Sequence, residues 1–274
     1  MTASQHQALV SLLEGEDAAT RDLVKAQLVE NGREKLSEYR RLLLTLAGAA
    51  RDHLREVIGE IEASATLGDI SRRLATLNTF AQLEELSWEL ARAEDPSFES
   101  GPFTRQLDRW ATEAGRLLAP ATTPLEKVHC LARYLGWEQG LAGNSTDYYH
   151  PRNACLPSTI QSRSGLPITL ALIYILVGRR LDLPVAGVGT PGHFLARLDD
   201  VIFDPYYHGR IVSEGEWELT TSELSASDRA LVLRPSTPRQ MMHRLLINQR
   251  NCYVKRLDHH GRLKVDSYLA VLQR

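Results

Sequence analysis

The 274-residue sequence predicts an α+β protein, with a helical region over 1–140, a core over 141–235 and a helical tail over 236–274. Three observations predict it. Up to residue 140, apolar residues recur every three or four positions, the period of helices with one buried face. Beyond Pro184, short apolar runs at 185–188, 194–198 and 201–203 replace that period, as strands of a small antiparallel sheet would. From residue 240 the helical period returns. A helical region, one apolar helix, a sheet and a closing helical pair define the class, with helical region and core expected to pack as one unit.

In order, Leu23, Ala26, the stretch 28–36, Tyr39, Leu42, Leu43 and Leu46 carry the first apolar faces, interrupted at Gly32. Residues 53–61 continue in another helix. Residues 67–91 hold the stripe Ile70, Leu74, Leu77, Phe80, Leu83, Leu86 and Leu90, with Asn78-Thr79 as its possible break. Asp95-Pro96 ends that segment, because proline disfavours helix in the residue before it. Phe103, Leu107, Trp110, Ala114 and Leu117 form the next face, stopped by Pro120. Pro124 then opens 125–135, since a proline loses nothing in a first helical turn.

A loop over 140–153 contains Asp147-Tyr148-Tyr149-His150 and precedes a short helix at 156–161. An apolar helix over 167–181 follows, ended by Pro184. The strands 194–198 and 201–203 meet across the polar turn Asp199-Asp200, and 231–233 is a further strand candidate. Residues 240–257 and 264–272 make the closing pair, with His259-His260-Gly261 expected as an exposed turn.

Composition excludes several classes of function. A formal net charge of −2 gives no basic field for nucleic acid. The three cysteines, Cys130, Cys155 and Cys252, form no CxxC pair and no even framework, which favours a reducing compartment. Residues 1–15 lack the basic-then-apolar pattern of a signal peptide, and 168–177 is too short to cross a bilayer. The expectation is a cytoplasmic protein with no membrane, no cofactor and no metal.

The chemistry-bearing residues lie around the apolar helix and the hairpin. Strands 194–198 and 201–203 would bring His193 and Asp204 opposite each other, a carboxylate holding an imidazole. Such a pair serves a thiolate seated at a helix N-terminus, where free N–H groups and the dipole favour the anion. Here that position in Gly165-Leu-Pro167 holds no nucleophile. Thr169 lies about 200° further around the helix and suits a capping or core-facing role better than attack. Cys155, twelve residues earlier, is the rival sulfur. Cys130 and Cys252 fall on apolar faces. His193, Asp204, His208 and His150 form a weaker metal alternative without a familiar spacing. Asn153 is placed to cap a helix starting near Ala154, and Arg152 or Arg163 to pair with Asp204. Arg179 would snorkel from the core helix. Tyr148, Tyr149, Tyr206 and Tyr207 would make an aromatic wall.

Taken together, Tyr148-Tyr-His-Pro-Arg-Asn153, Gly165-Leu-Pro-Ile-Thr-Leu, Pro191-Gly-His-Phe194 and Phe203-Asp-Pro-Tyr206 resemble the bacterial SirB1 family. The resemblance covers about residues 20–257 and implies a transglutaminase-like, papain-like core. It also implies that His193 and Asp204 match the superfamily's histidine and aspartate, and that Pro167 stands where its cysteine does. The function it implies first is non-catalytic: a peptide, protein segment or small ligand bound by Tyr148, Tyr149, Asn153, Pro167, Thr169, His193, Asp204 and Tyr206. Two alternatives stand beside it. One is a hydrolase or acyltransferase using Cys155 with His193 and Asp204, or a bound water. The other is a helical protein-interaction scaffold.

Overall fold

The structure, a computed structural model, describes residues 3–15, 17–30 and 32–273. Met1 and Thr2 of the segment read for a leader, and Asn31 within 28–36, lie outside the described residues. The chain divides into two compact units, Met1–Arg72 and Arg73–Arg274.

The first unit is built from α1 (Ala3–Glu14), α2 (Ala18–Glu30), α3 (Gly32–Leu43) and most of α4 (Gly48–Ala75). Leu9, Leu13, Tyr39, Leu42, Leu54, Val57, Ile58 and Ile61 form its core. Gly32 opens α3 close against Ile61 of α4: a Cβ there would stand 2.1 Å from the Ile61 Cδ1, and that side chain would have to turn aside. The helix expected over 53–61 runs on to Ala75, and the stripe over 67–91 is cut at Asn78-Thr79. Residues 62–75 hold no proline, and the single Gly68 does not stop the helix, whereas the Thr79 hydroxyl accepts from the Gln82 N–H and starts a new one.

The second unit begins with α5 (Phe80–Glu94), α6 (Gly101–Leu118) and α7 (Pro124–Leu131), which runs into a π-helical stretch, Ala132–Glu138. β1 (Ala142–Gly143), a 3-10 turn at Pro151–Ala154, α8 (Leu156–Ser162) and β2 (Ser164–Gly165) lead to α9 (Pro167–Arg180). Every residue of α9 from Pro167 to Gly178 is buried, which is why its sequence is apolar all round rather than striped. Where α9 surfaces, the Arg180 guanidinium pairs with Glu84 at 2.8 Å and Asp108 at 2.7 Å, tying α9 to α5 and α6.

β3 (Val185–Thr190), β4 (His193–Leu198), β5 (Val201–Asp204) and β6 (Arg210–Ile211) form an antiparallel sheet in that order, with β3 and β4 against α9. Leu198 pairs with Val201 across Asp199-Asp200, the two-residue turn expected. Then come α10 (Glu214–Thr220), α11 (Ala226–Val232), α12 (Pro238–Lys255) and α13 (His259–Leu272).

Two expectations change. Residues 231–233 are not a strand: Ser225 caps α11 through the Asp228 N–H, and the apolar residues close that helix. His259 and His260 are exposed as expected but open α13, because Asp258 accepts from Gly261 N at 2.8 Å. Within the second unit α6 packs on α9, while α12 packs on α5 and α9, so helices before and after the sheet share its core.

One cap yields a pH-dependent prediction. Glu126, at the third position of α7, accepts from Thr122 N at 2.7 Å and Thr123 N at 3.0 Å. Those N–H groups, Thr123's foremost, draw its carboxyl from the ordinary 4.5 down to about 2. A depressed carboxyl adds stability above its unfolded pKa and loses it as pH falls through the folded one. Thermal unfolding of wild type and Glu126→Gln should therefore show a gap that narrows between about pH 4.5 and about pH 2.

Candidate functional site

The site assembles at the open end of the β4–β5 hairpin. Thr190 pairs with His193 across Pro191-Gly192, and Gly192, at φ 71°, takes the left-handed conformation that this turn demands. The β4–β5 register sets Ala196 against Phe203, so Asp204 falls across from Leu195, and His193 is its diagonal neighbour rather than its direct partner. Diagonal neighbours on one face lie within reach of long side chains. The two side chains meet: His193 Nε2 and Asp204 Oδ2 are 2.8 Å apart.

Asp204 is buried, with 5% of its side chain exposed, against 27% for His193. Its second oxygen, Oδ1, accepts from Tyr206 N at 2.9 Å and so caps the 3-10 turn Pro205–Tyr207. The carboxylate can only accept, so Nε2 donates to it, which turns Nδ1 away from Asp204. A buried acid that fixes the ring from behind leaves the imidazole able to hold a ligand or accept a proton.

The tyrosines form a connected ledge. Ring centroids are 5.2 Å apart for Tyr148–Tyr149, 6.4 Å for Tyr148–Tyr206 and 5.2 Å for Tyr206–Tyr207. Tyr206 also stands edge-on to His193 at 5.9 Å. Gly143 of β1 lies against the Tyr206 ring, where a Cβ would be 2.2 Å from it. Burial raises the Tyr148 and Tyr206 phenols, keeping both as neutral donors.

Asn153 does not cap a helix. Its side-chain amide donates to the carbonyls of Asp147 at 2.7 Å and Tyr148 at 3.0 Å, and its carbonyl accepts from Leu166 N at 3.0 Å. It thereby pins the tyrosine loop to the start of α9. Thr169 is wholly buried and donates to that same Asn153 carbonyl at 2.9 Å, so it is a core hydroxyl. Pro167 occupies the first turn of α9, buried, where its missing N–H costs nothing.

Cys155 is not brought to His193. It borders a separate cleft of about 720 Å³ with Glu94, His150, Arg152, Ser158 and Tyr253. Of the residues expected to bind a ligand, only Asn153 also borders that cleft. Burial pushes the Cys155 thiol up, against hydrogen bonds from Ser158. The reason for the separation is topological: Cys155 starts α8, whose chain must turn through β2 before α9 begins. Cys130 bonds the Leu117 carbonyl, and Cys252 is buried in α12.

The metal set is dispersed. His208 gives its Nδ1–H to the Gly136 carbonyl at 2.9 Å and stacks on Trp137, while His150 lines the Cys155 cleft. Among the described residues, no group of three or more potential ligands comes together. Neither Arg152 nor Arg163 pairs with Asp204; Arg163 donates to the Ile160 carbonyl and lies over Trp110. Arg179 covers the Phe80 ring at 4.8 Å.

The sequence reading missed Arg244. From α12 its guanidinium reaches back to the carbonyls of Thr190 and His193, each at 3.4 Å. No short motif marks it; only its helical spacing within the tail could have drawn notice.

A hydrogen-bonded His–Asp pair on an antiparallel hairpin, packed on a buried helix, is the arrangement of a papain-like core. The profile of the transglutaminase-like superfamily matches residues 102–247, and the chain belongs to that superfamily. Among its relatives, a UPF0162 protein of Pseudomonas aeruginosa is 31% identical over 193 residues, 66% of this chain and 70% of the relative. A UPF0162 protein of Xylella fastidiosa is 40% identical over 137 residues, 46% of this chain and 49% of the relative. The chain thus spans about half the length of the Xylella protein. A mouse protein named F-box only protein 21 is 40% identical over 55 residues, 20% of this chain and 9% of its own. No solved structure matches the chain at a significant level. No helix among the described residues is long and apolar enough to cross a membrane.

Proposed function

We propose that this is a non-catalytic transglutaminase-like protein that binds a peptide or protein segment along the Tyr148–Tyr206 ledge at His193 and Asp204. The finer likeness to the SirB1 family, with Pro167 at the superfamily's cysteine position, belongs to this reading. One observation carries it. The base and its orienting acid are intact, yet among the described residues no thiol stands within bonding reach of His193. A His–Asp pair without a nucleophile offers a polar anchor, not covalent chemistry. The three unpaired cysteines suit a reducing compartment such as the cytoplasm.

The test is intact-protein mass spectrometry after incubation with thioester and glutaminyl-amide substrates, beside iodoacetamide labelling. The expected outcome is no acyl adduct, and slow Cys155 alkylation that His193→Ala leaves unchanged. An acyl adduct on Cys155 that His193→Ala abolishes would establish the hydrolase reading instead.

A further inference from the structure

The α12 face that meets the tyrosine ledge carries positive charge with no acid to balance it. Arg244 is half-buried and, among the described residues, has no carboxylate partner, only two long bonds to backbone carbonyls. Its guanidinium reaches the backbone of His193, whose ring stands edge-on to Tyr206, and Tyr206 stands 6.4 Å from Tyr148, which puts this face at the ledge. Lys255 ends the helix with its ammonium 5.5 Å from the centre of the Tyr149 ring, and it too lacks a carboxylate partner among the described residues.

Lys255 lies eleven positions after Arg244, three helical turns: about 16 Å along the axis and within about 20° of the same face. The acids nearby are already engaged. Arg256 holds Asp147, with one contact at 2.6 Å, and Asp204 holds His193. Arg210 holds Glu216 and lies over the Tyr207 ring. A half-buried guanidinium without an acid is a ready carboxylate seat, because its planar fork matches two oxygens at once.

We infer that the ledge takes an acidic peptide in extended form, one carboxylate seated on Arg244 beside His193 and a second on Lys255. An extended chain advances about 3.3 Å per residue, so the two acids fall about five residues apart. The tyrosine rings between them cover the intervening backbone and supply hydroxyl donors. Two isolated cations on a chain of net charge −2 suit a peptide better than nucleic acid, which needs a continuous basic track. The inference rests on the ledge being a binding surface, and names what it binds.

The experiment is selection of random dodecapeptides on the immobilised full chain at low salt, followed by calorimetric titration of the winners. The expected result is enrichment of Asp and Glu in pairs about five residues apart. Binding should weaken about tenfold in Arg244→Gln and about threefold in Lys255→Gln, be partly kept in Arg244→Lys, and fall with added sodium chloride. Lys255 is exposed, so its variant tests the idea even if Arg244→Gln folds poorly. Peptides without acid enrichment, lost in Tyr206→Ala but indifferent to Arg244→Gln, would overturn the inference and leave the ledge as a binding surface. Failure to select any peptide would overturn both. Displacement of the peptides by a twenty-nucleotide oligothymidine at equal affinity would overturn the peptide assignment.

Discussion

Replacing Asp204 with alanine is expected to lower the free energy of unfolding by about 3 kcal/mol, read from urea denaturation, and to free the His193 ring. Two interactions are lost together. The bond to His193 is charge-assisted with its acceptor buried, a type that contributes about 1.5–3 kcal/mol. The Tyr206 N–H also loses its cap, at about 1 kcal/mol. Asp204→Asn should cost less, since an amide oxygen can still accept one of the two bonds. His193→Ala removes only the first interaction at a part-exposed position, so it should be milder than Asp204→Ala. Equal costs for the two alanine variants would mean that Asp204 does not organise the turn beneath Tyr206.

Gly136→Ala should be of similar size, about 3 kcal/mol, and its cause is steric. A Cβ at Gly136 would sit 2.1 Å from the His208 carbonyl oxygen and 2.8 Å from its Cα. These are backbone atoms, fixed in turn by the left-handed conformations of His208 at φ 56° and Gly209 at φ 78°. Neither residue can yield without dragging the 3-10 turn that holds Tyr206. Trp137, exposed but stacked on His208 at 4.5 Å, should report the shift through its fluorescence. Gly59→Ala is the control. It lies inside α4 with nothing within 4 Å of its Cβ direction, so alanine should stabilise by about 0.5–1 kcal/mol. A wild-type melting temperature for Gly136→Ala would show that the π-helical stretch does not press on the site.

Several parts of the fold were legible before any coordinates. The unbroken apolar run after Pro167 could only be a helix buried on all sides, and α9 is one. The short apolar runs on either side of Asp199-Asp200 announced the hairpin, because a two-residue polar turn between such runs leaves few other arrangements. Residues 231–233 misled for a reason of the same kind: three apolar residues fit either period, and the Ser225 cap lies too far upstream to be weighed with them. Asn153 misled because a cap and a loop pin call for the same residue type. Its choice depends on which carbonyls, those of Asp147 and Tyr148, arrive within reach.

Local patterns along the chain already carry the α+β class, the buried helix, the hairpin, and the grouping of His193, Asp204 and the tyrosines in one region. Those features rest on local period, turn chemistry and short separations along the chain, all carried by neighbouring residues. Only packing in three dimensions sets the diagonal meeting of His193 with Asp204 and turns Cys155 toward another cleft. It alone also brought Arg244 of α12 back to the carbonyls of Thr190 and His193. These outcomes depend on packing between segments that are distant in sequence, where no local pattern records which side chain a neighbouring element will face.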